Sequence, residues 1–116
     1  MERGDIYIAN INPRSGSEQS GIRPVLIISH NGFNTTQNWK SIIIVPVSTS
    51  INQAQRTPTI VKVSPDESGL EKESSILCHQ ITTLDKGKLL KKIGNLNGDK
   101  LKEVEKAIKY SLDMFD

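Results

Sequence analysis

Short apolar segments of β-strand type alternate with polar connections through most of the chain. Runs rich in Val, Ile and Thr, bounded by Gly, Pro, Asn and Asp, predict strands at residues 6–9, 25–29, 41–47, 59–63 and 75–83. The second run is continuously apolar from Val25 to Ile28, which is typical of a strand covered on both faces. We therefore expect this strand at the centre of a sheet.

Two features qualify this pattern. Pro46 has no N–H to donate, so it predicts a strand end, an edge or a bulge in the third segment. In the last segment, a regular strand would point His79 and Gln80 to opposite faces of the sheet, and a local bulge would change that.

The C-terminal segment has helical rather than strand periodicity. Apolar residues recur there at intervals of three and four, with Asn97 or Asp99 as the expected N-cap; they are Leu101, Val104, Ile108, Leu112 and Phe115. The pattern predicts an α+β fold, in which a curved, mostly antiparallel sheet of five or more strands is closed by one helix into a small barrel.

Length, composition and charge narrow the class of protein. A chain of 116 residues is expected to form a single domain, residues 1–116, and its 15 basic and 13 acidic residues nearly balance, so anion binding must be local. No apolar run approaches the ~20 residues that a membrane helix needs. One cysteine and no basic-then-apolar leader predict a cytoplasmic protein. The two histidines lie far apart and no phosphate-binding glycine motif occurs, so we expect neither a metal nor a cofactor.

Arg23 is the first candidate for chemistry. It follows a loop, residues 14–22, that contains three serines and two glycines, and it precedes Pro24, which favours an extended backbone at Arg23. A guanidinium at the mouth of a strand can hold two oxygens of one phosphate. The alternative is a surface arginine that solvates a strand end.

Lysines form a second candidate site. Four lysines cluster before the helix, namely Lys86, Lys88, Lys91 and Lys92. They are able to bind successive phosphates of a nucleic acid, although a solvated surface explains them equally well. The charged side chains of the helix itself are interpreted as its solvent-exposed face. His30, Cys78 and Trp39 are interpreted as structural residues.

Four motifs, in this order, resemble the MazF/PemK (Kid) family of bacterial toxins over essentially the whole chain. They are RGDIY at 3–7, GSEQSGIRPVLII at 16–28, VPVST at 45–49 and CHQI at 78–81. The resemblance implies a homodimer with an SH3-like barrel and a C-terminal helix. It also implies a cytoplasmic, metal-independent, sequence-specific endoribonuclease that cuts single-stranded mRNA. A separate antitoxin would neutralise it by occupying the RNA groove, and operator DNA would be contacted only through the antitoxin complex.

The resemblance also assigns residues to the reaction. Metal-free cleavage of RNA uses the neighbouring 2′-hydroxyl as nucleophile, and it needs a base, a proton donor and stabilisation of phosphorane charge. Arg23 matches the family's catalytic arginine. Ser48 falls where the family usually has a catalytic threonine, with Thr49 as its rival, and either hydroxyl would bind or orient the phosphate because neither is an unaided base.

Further positions are carried over from the same motifs. His79 stands where many members have an acidic residue; it is either a general acid or base or a residue that packs on a half-buried strand. Gln80 matches the family glutamine and suits contact with a base edge or the RNA backbone. Ser17, Glu18 and Gln19 match the substrate-proximal loop, and we expect them to become ordered on RNA binding.

Two other functions compete with this interpretation. One is a non-enzymatic toxin of the CcdB type that poisons DNA gyrase; such toxins usually end in a Trp-Gly-Ile type tail, whereas this chain ends in LDMFD at 112–116. The other is an inactive family member retained as an interaction domain, which the departures at Ser48 and His79 keep open. The sequence specifies neither the cleavage motif nor the antitoxin.

Overall fold

The computed structural model describes residues 1–12, 16, 21–49 and 58–114, which form one antiparallel sheet, two short helices, a longer C-terminal helix and their connections. The strands are β1 Asp5–Asn10, β2 Ile22–Ile27, β3 Ser41–Ser48, β4 Ile60–Val63, β5 Ser74–Leu77, β6 Thr82–Asp85 and β7 Leu89–Asn95. The helices are α1 Asn31–Asn34, α2 Pro65–Ser68 and α3 Gly98–Ser111. None of the helices in these ranges has the length and apolar character needed to cross a bilayer.

The seven strands follow the order β4-β5-β3-β2-β1-β7, and β6 pairs with the first half of β3. All the strand pairs between described residues are antiparallel. The two edge strands, β4 and β7, do not pair with each other in these ranges, so the sheet is open. The predicted α+β class with a C-terminal helix is confirmed.

β2 lies at the centre of the sheet and is covered on both faces. Leu26 belongs to an apolar cluster that includes Val104 of α3, whereas Val25 and Ile27 belong to a second cluster on the other face, with Ala9 and residues of β3. The three β2 residues are fully buried. The continuous apolar run thus predicted the position of this strand correctly, although the strand begins and ends earlier than residues 25–29.

Pro46 lies inside β3, which is a central strand. On one side Pro46 pairs with Val25 of β2. On the other side, β6 pairs with β3 only as far as Ile44, and β5 pairs from Val47 onward. Since Pro46 has no N–H to donate, it occupies the position at which β3 changes its partner.

The predicted strand at residues 75–83 is wrong, because the chain breaks there into three elements. β5 ends at Leu77, a 3-10 turn spans Cys78–Gln80, and β6 begins at Thr82. The turn contacts β3 and connects β5 with β6, the two strands that pair with different halves of β3. The alternation of side chains expected for a regular strand therefore does not apply to His79 and Gln80.

α3 begins where the sequence predicted. The side chain of Asn97 accepts a hydrogen bond from the backbone N–H of Lys100 at 2.9 Å. Val104 and Ala107 are buried against the sheet, whereas Leu112 is 49% exposed, so the apolar stripe leaves the core before the chain ends. Phe115, the last residue of the predicted stripe, lies outside the described residues.

Two glycines allow α2 and β7 to approach at van der Waals distance. A Cβ atom on Gly94 of β7 would overlap the carbonyl oxygen of Ser68, and a Cβ on Gly69 would lie 2.9 Å from the carbonyl oxygen of Ile93. Gly69 also has a positive φ of 80°, which favours glycine at the end of α2. We call Gly69 and Gly94 the glycine contact.

Substitution of Gly94 by Ala is expected to lower the free energy of unfolding by about 1–3 kcal/mol, because the added methyl group meets rigid backbone rather than a flexible side chain. Urea denaturation at neutral pH measures the change. Gly98→Ala is the matched control, since nothing lies within 4 Å of a Cβ at that position. Equal unfolding midpoints for the two variants would contradict the close contact.

Glu67 joins α2 to α3, and its charge predicts an acid-dependent contribution to stability. The backbone N–H of Ser64, which donates to the Glu67 carboxylate at 2.9 Å, lowers the pKa of this group, and Lys100 Nζ at 3.7 Å acts in the same direction. A lowered pKa means that the stabilisation is present above the ordinary carboxyl pKa and is lost as the pH falls through the lowered one.

Glu67→Gln should therefore be less stable than the wild type at neutral pH, and the two should converge as the pH falls below the carboxyl range. Thermal unfolding across this pH range, with Asp66→Asn as the neighbouring control, measures the effect. A difference that stays constant with pH would exclude the carboxylate as its cause.

Candidate functional site

Arg23 is the second residue of β2 and has an extended backbone, as the following proline predicted. It pairs with Ala9 of β1, and its side chain is half-buried. The pairing of β2 with β3 ends at Val25 with Pro46, and Arg23 and Ser48 each lie two residues beyond that last pair. The motif arginine and the serine-threonine pair of the sequence therefore lie at the same end of the β2–β3 pair.

Ser48 and Thr49 differ sharply in accessibility. Ser48 is the last residue of β3, pairs with Ser75 of β5 and is only 1% exposed. Thr49 follows the strand and is exposed. Because a substrate phosphate must reach the hydroxyl that binds it, the burial favours Thr49 over Ser48, which reverses the weight that the sequence placed on them.

A cavity of about 500 Å³ opens beside Thr49. β1 and β7 form one wall, and the segment after α2 forms another; the lining residues are Ile8, Thr49, Gly69, Leu70, Glu71, Lys72, Lys91, Lys92 and Ile93. Arg23 is not among its lining residues. The cavity therefore connects the end of β3 at Thr49 with Lys72, Lys91 and Lys92.

The predicted lysine cluster divides into two pairs with different roles. Lys86 Nζ donates to the carbonyl oxygens of Phe33 and Thr36, and Lys88 Nζ donates to that of Asn12, so these two amines hold loops. Lys91 and Lys92 are exposed at the cavity. Lys92 also lies 3.4 Å from the buried Asp5 carboxylate.

The 3-10 turn places His79 and Gln80 on the opposite side of β3 from β2. His79 is exposed and Gln80 is half-buried. The exposure of His79 does not fit the alternative in which it packs on a half-buried strand. Since adjacent strands lie about 4.8 Å apart, two such spacings separate the backbone of the turn from that of β2, or about 10 Å.

The loop residues Ser17, Glu18 and Gln19 lie outside the described residues. The base of their loop is described, however. The side-chain oxygen of Asn12 accepts from the backbone N–H of Gly21 at 2.9 Å, and Ile11 N–H donates to the Gly21 carbonyl oxygen at 3.0 Å. These bonds join the two ends of the loop directly before Arg23.

Cys78 is not a candidate nucleophile. Its thiol is fully buried, and desolvation raises its pKa to about 12, so it stays protonated at neutral pH. Within the described ranges, no group of three or more His, Cys, Asp or Glu side chains is placed to hold a metal ion.

Sequence reasoning missed Lys72 and the glycine contact that brings its segment to β7. A local signal existed, because Ser64, Pro65 and Glu67 form a helix start that ends at Gly69. That signal predicts the α2 turn but not the strand against which it packs, since the approach to Gly94 of β7 is a tertiary contact.

Comparison with known proteins supports the motif resemblance. A family model described as PemK-like, MazF-like toxin of type II toxin-antitoxin system matches residues 2–112. The chain is 42% identical over 114 residues to the endoribonuclease MazF of Staphylococcus saprophyticus, covering 98% of this chain and 92% of that protein.

Solved structures share the fold. An endoribonuclease in complex with its cognate antitoxin from a mycobacterial species superimposes with a TM-score of 0.80 at 22% identity, covering 100% of this chain and 98% of that one. MazF from Deinococcus radiodurans superimposes with a TM-score of 0.80 at 23% identity, covering 98% and 97%.

Proposed function

Since this chain belongs to the family of PemK-like, MazF-like toxins of type II toxin–antitoxin systems, we propose that it is a cytoplasmic, metal-independent and sequence-specific endoribonuclease acting on single-stranded mRNA. The observation that carries the proposal is the exposed Thr49 at the end of β3, the end at which Arg23 also lies, beside a cavity lined by Lys72, Lys91 and Lys92. The name of the Staphylococcus relative, an endoribonuclease, supports the same activity.

The proposed reaction is an internal transesterification. The ribose 2′-oxygen attacks the adjacent phosphorus and forms a P–O2′ bond, while the P–O5′ bond breaks. The 2′-hydroxyl proton leaves to a base, and the departing 5′-oxygen takes up a proton. The products are a 2′,3′-cyclic phosphate and a 5′-hydroxyl.

Each site residue has a role in this scheme. Arg23 stabilises the charge on the phosphorane with a guanidinium that can bind two oxygens. Thr49 binds the scissile phosphate through its exposed hydroxyl. His79, exposed on the turn beside β3, serves as the general acid or base, since its imidazole can donate or accept a proton.

RNA recognition is assigned to groups around this centre. Gln80 offers both a donor and an acceptor to a base edge or to the RNA backbone. Ser17, Glu18 and Gln19 belong to the loop that precedes Arg23, and we propose that they contact the substrate. Lys72 and Lys91 neutralise neighbouring phosphates from the cavity wall.

The proposed protein partners are an antitoxin and a second copy of the chain. The mycobacterial neighbour forms a complex with its cognate antitoxin, which supports an antitoxin as the partner of this chain as well. Any contact with operator DNA would then be made by that complex.

For the homodimer, we assign an apolar groove of about 430 Å³ on the side of the sheet near α3. Half-buried isoleucines line it, namely Ile28, Ile43, Ile81 and Ile108. At its rim, Arg3 forms an ion pair with Glu105 at 2.7 Å. A groove with an apolar floor and both charges at its rim can be complementary to itself across a two-fold axis.

The activity is tested by incubating the purified protein with single-stranded RNA in excess EDTA and determining the fragment ends by mass spectrometry. We expect cleavage to persist and to leave 2′,3′-cyclic phosphate and 5′-hydroxyl ends. Intact RNA, or cutting that requires added metal, would refute the proposed mechanism. A gyrase supercoiling assay on the same sample tests the non-enzymatic alternative.

Alanine substitutions should distinguish the roles of Arg23, Thr49 and Ser48. Arg23→Ala should lower the cleavage rate by about 10²–10³-fold, the usual cost of losing one group that stabilises transition-state charge. Thr49→Ala should lower it by about 10–100-fold, as expected for one hydrogen bond to a charged group. Both variants should unfold like the wild type.

Ser48→Ala should show the opposite behaviour. Its buried hydroxyl supports the fold, so its loss should cost about 1 kcal/mol in unfolding free energy with little change in cleavage. Single-turnover assays and urea titrations on the three variants measure both effects. A larger loss of cleavage in Ser48→Ala than in Thr49→Ala would return the hydroxyl role to Ser48.

The dimer face is tested with Ile43→Lys, which places a charge in the apolar groove. Sedimentation velocity should show a wild-type dimer and a folded monomeric variant. Lys102→Ala, on the exposed face of α3, should sediment like the wild type. A dimer that persists in Ile43→Lys would place the interface elsewhere.

A further inference from the structure

Two stacked aromatic side chains lie on the protein surface, in the connection from β2 to β3. The rings of Phe33 and Trp39 have centroids 4.7 Å apart and planes 13° from parallel. Phe33 is 40% exposed and Trp39 is 45% exposed. Trp39, which the sequence analysis interpreted as structural, thus leaves much of its surface open to solvent. We call this pair the aromatic platform.

A polar network fixes the segment that carries the aromatic platform. Lys86 Nζ donates to the carbonyl oxygens of Phe33 and Thr36 at 2.9 and 3.0 Å. Asn34 is buried, and its side-chain N–H groups donate to the Ser29 carbonyl oxygen and to Asn31 Oδ1. The rings are therefore held in place without a ligand, which reduces the entropy that a ligand would lose on stacking there.

Two lysines belong to the surroundings of the platform. Lys86 Nζ is held at the carbonyl oxygens of Phe33 and Thr36, and the exposed Lys40 directly follows Trp39 in the chain. The nearby carboxylate, Asp85, already accepts a hydrogen bond from the backbone N–H of Gly87 at 2.7 Å. Aromatic faces beside lysines match the bases and phosphates of a single-stranded nucleic acid.

We propose that the aromatic platform stacks an unpaired base of the RNA substrate, as a subsite separate from the cleavage centre. This inference rests on the proposed ribonuclease function. RNA is favoured over a protein partner because the exposed feature is a pair of ring faces with two lysines in its surroundings rather than an apolar groove.

The distance between the platform and the cleavage centre sets a length requirement. The platform adjoins the start of β3 and Thr49 follows its end, and the eight residues of β3 span about 23 Å. β6 and the turn with His79 run along the same length of β3. An RNA several nucleotides long can reach both sites, whereas a substrate of two or three nucleotides that occupies the cleavage centre cannot.

Trp39 is the sole tryptophan of the chain, so its fluorescence reports directly on the platform. We would titrate the protein with a single-stranded RNA of about 12 nucleotides, within the range of ~4–16 that one OB fold, another small β domain, binds. Methylated 2′-hydroxyls make this RNA uncleavable. Saturable quenching is expected with the single strand and not with a hairpin duplex of the same composition, whose bases are already stacked.

Substitutions then separate stacking from other roles. Trp39→Leu should raise the KM for a long single-stranded substrate by about 5–150-fold, the range measured for loss of one stacked base, with kcat unchanged. Trp39→Phe keeps a ring face and should restore most of the affinity. Leu112→Ala, which removes an equally exposed apolar side chain elsewhere, should behave as the wild type.

Several results would overturn the proposal. One is the absence of quenching by single-stranded RNA. Another is quenching that changes with the protein concentration but not with the RNA concentration. The third is an equal KM for Trp39→Leu and the wild type. Because the titration uses uncleavable RNA, it tests the subsite even if the protein proves not to cut RNA. Failure of the subsite and failure of the ribonuclease function are therefore distinguishable.

Discussion

The missing N–H of Pro46 is the constraint on which the arrangement around the candidate site depends. At this residue β3 keeps its pairing with β2 but has no strand partner on its other side. The 3-10 turn that carries His79 and Gln80 connects the two strands that pair with β3 on that side. Since Pro46 has no N–H to donate, the ladder on that side is interrupted between β6 and β5.

The glycine contact is the second constraint, and it acts from the other side of the site. Gly69 and Gly94 bring the segment after α2 against β7, and that segment supplies Lys72 to the cavity that Thr49 and Lys91 also line. The cavity is thus built from three parts of the chain that are distant in sequence. Its shape depends on backbone meeting backbone, which tolerates little change.

Local signals predicted much of the fold. The apolar run of β2 indicated a central strand, and Asn97 with the spacing of Val104 indicated the helix and its start. The continuous strand at 75–83 was wrong because no local signal in Cys78–Gln80 reveals that its partner strand contains a proline. Ser48 is buried because it pairs with β5, whereas Thr49 follows the strand and is exposed. The sequence does not reveal this difference, since the two neighbouring residues have similar side chains.

The buried thiol of Cys78 has a practical consequence. With its pKa raised to about 12 and no access to solvent, this side chain is unreactive toward ordinary thiol reagents in the native protein. The natural sequence therefore serves as a background for single engineered cysteines. Spectroscopic labels placed on the loop before Arg23 would report on the binding of RNA there without any change to the core.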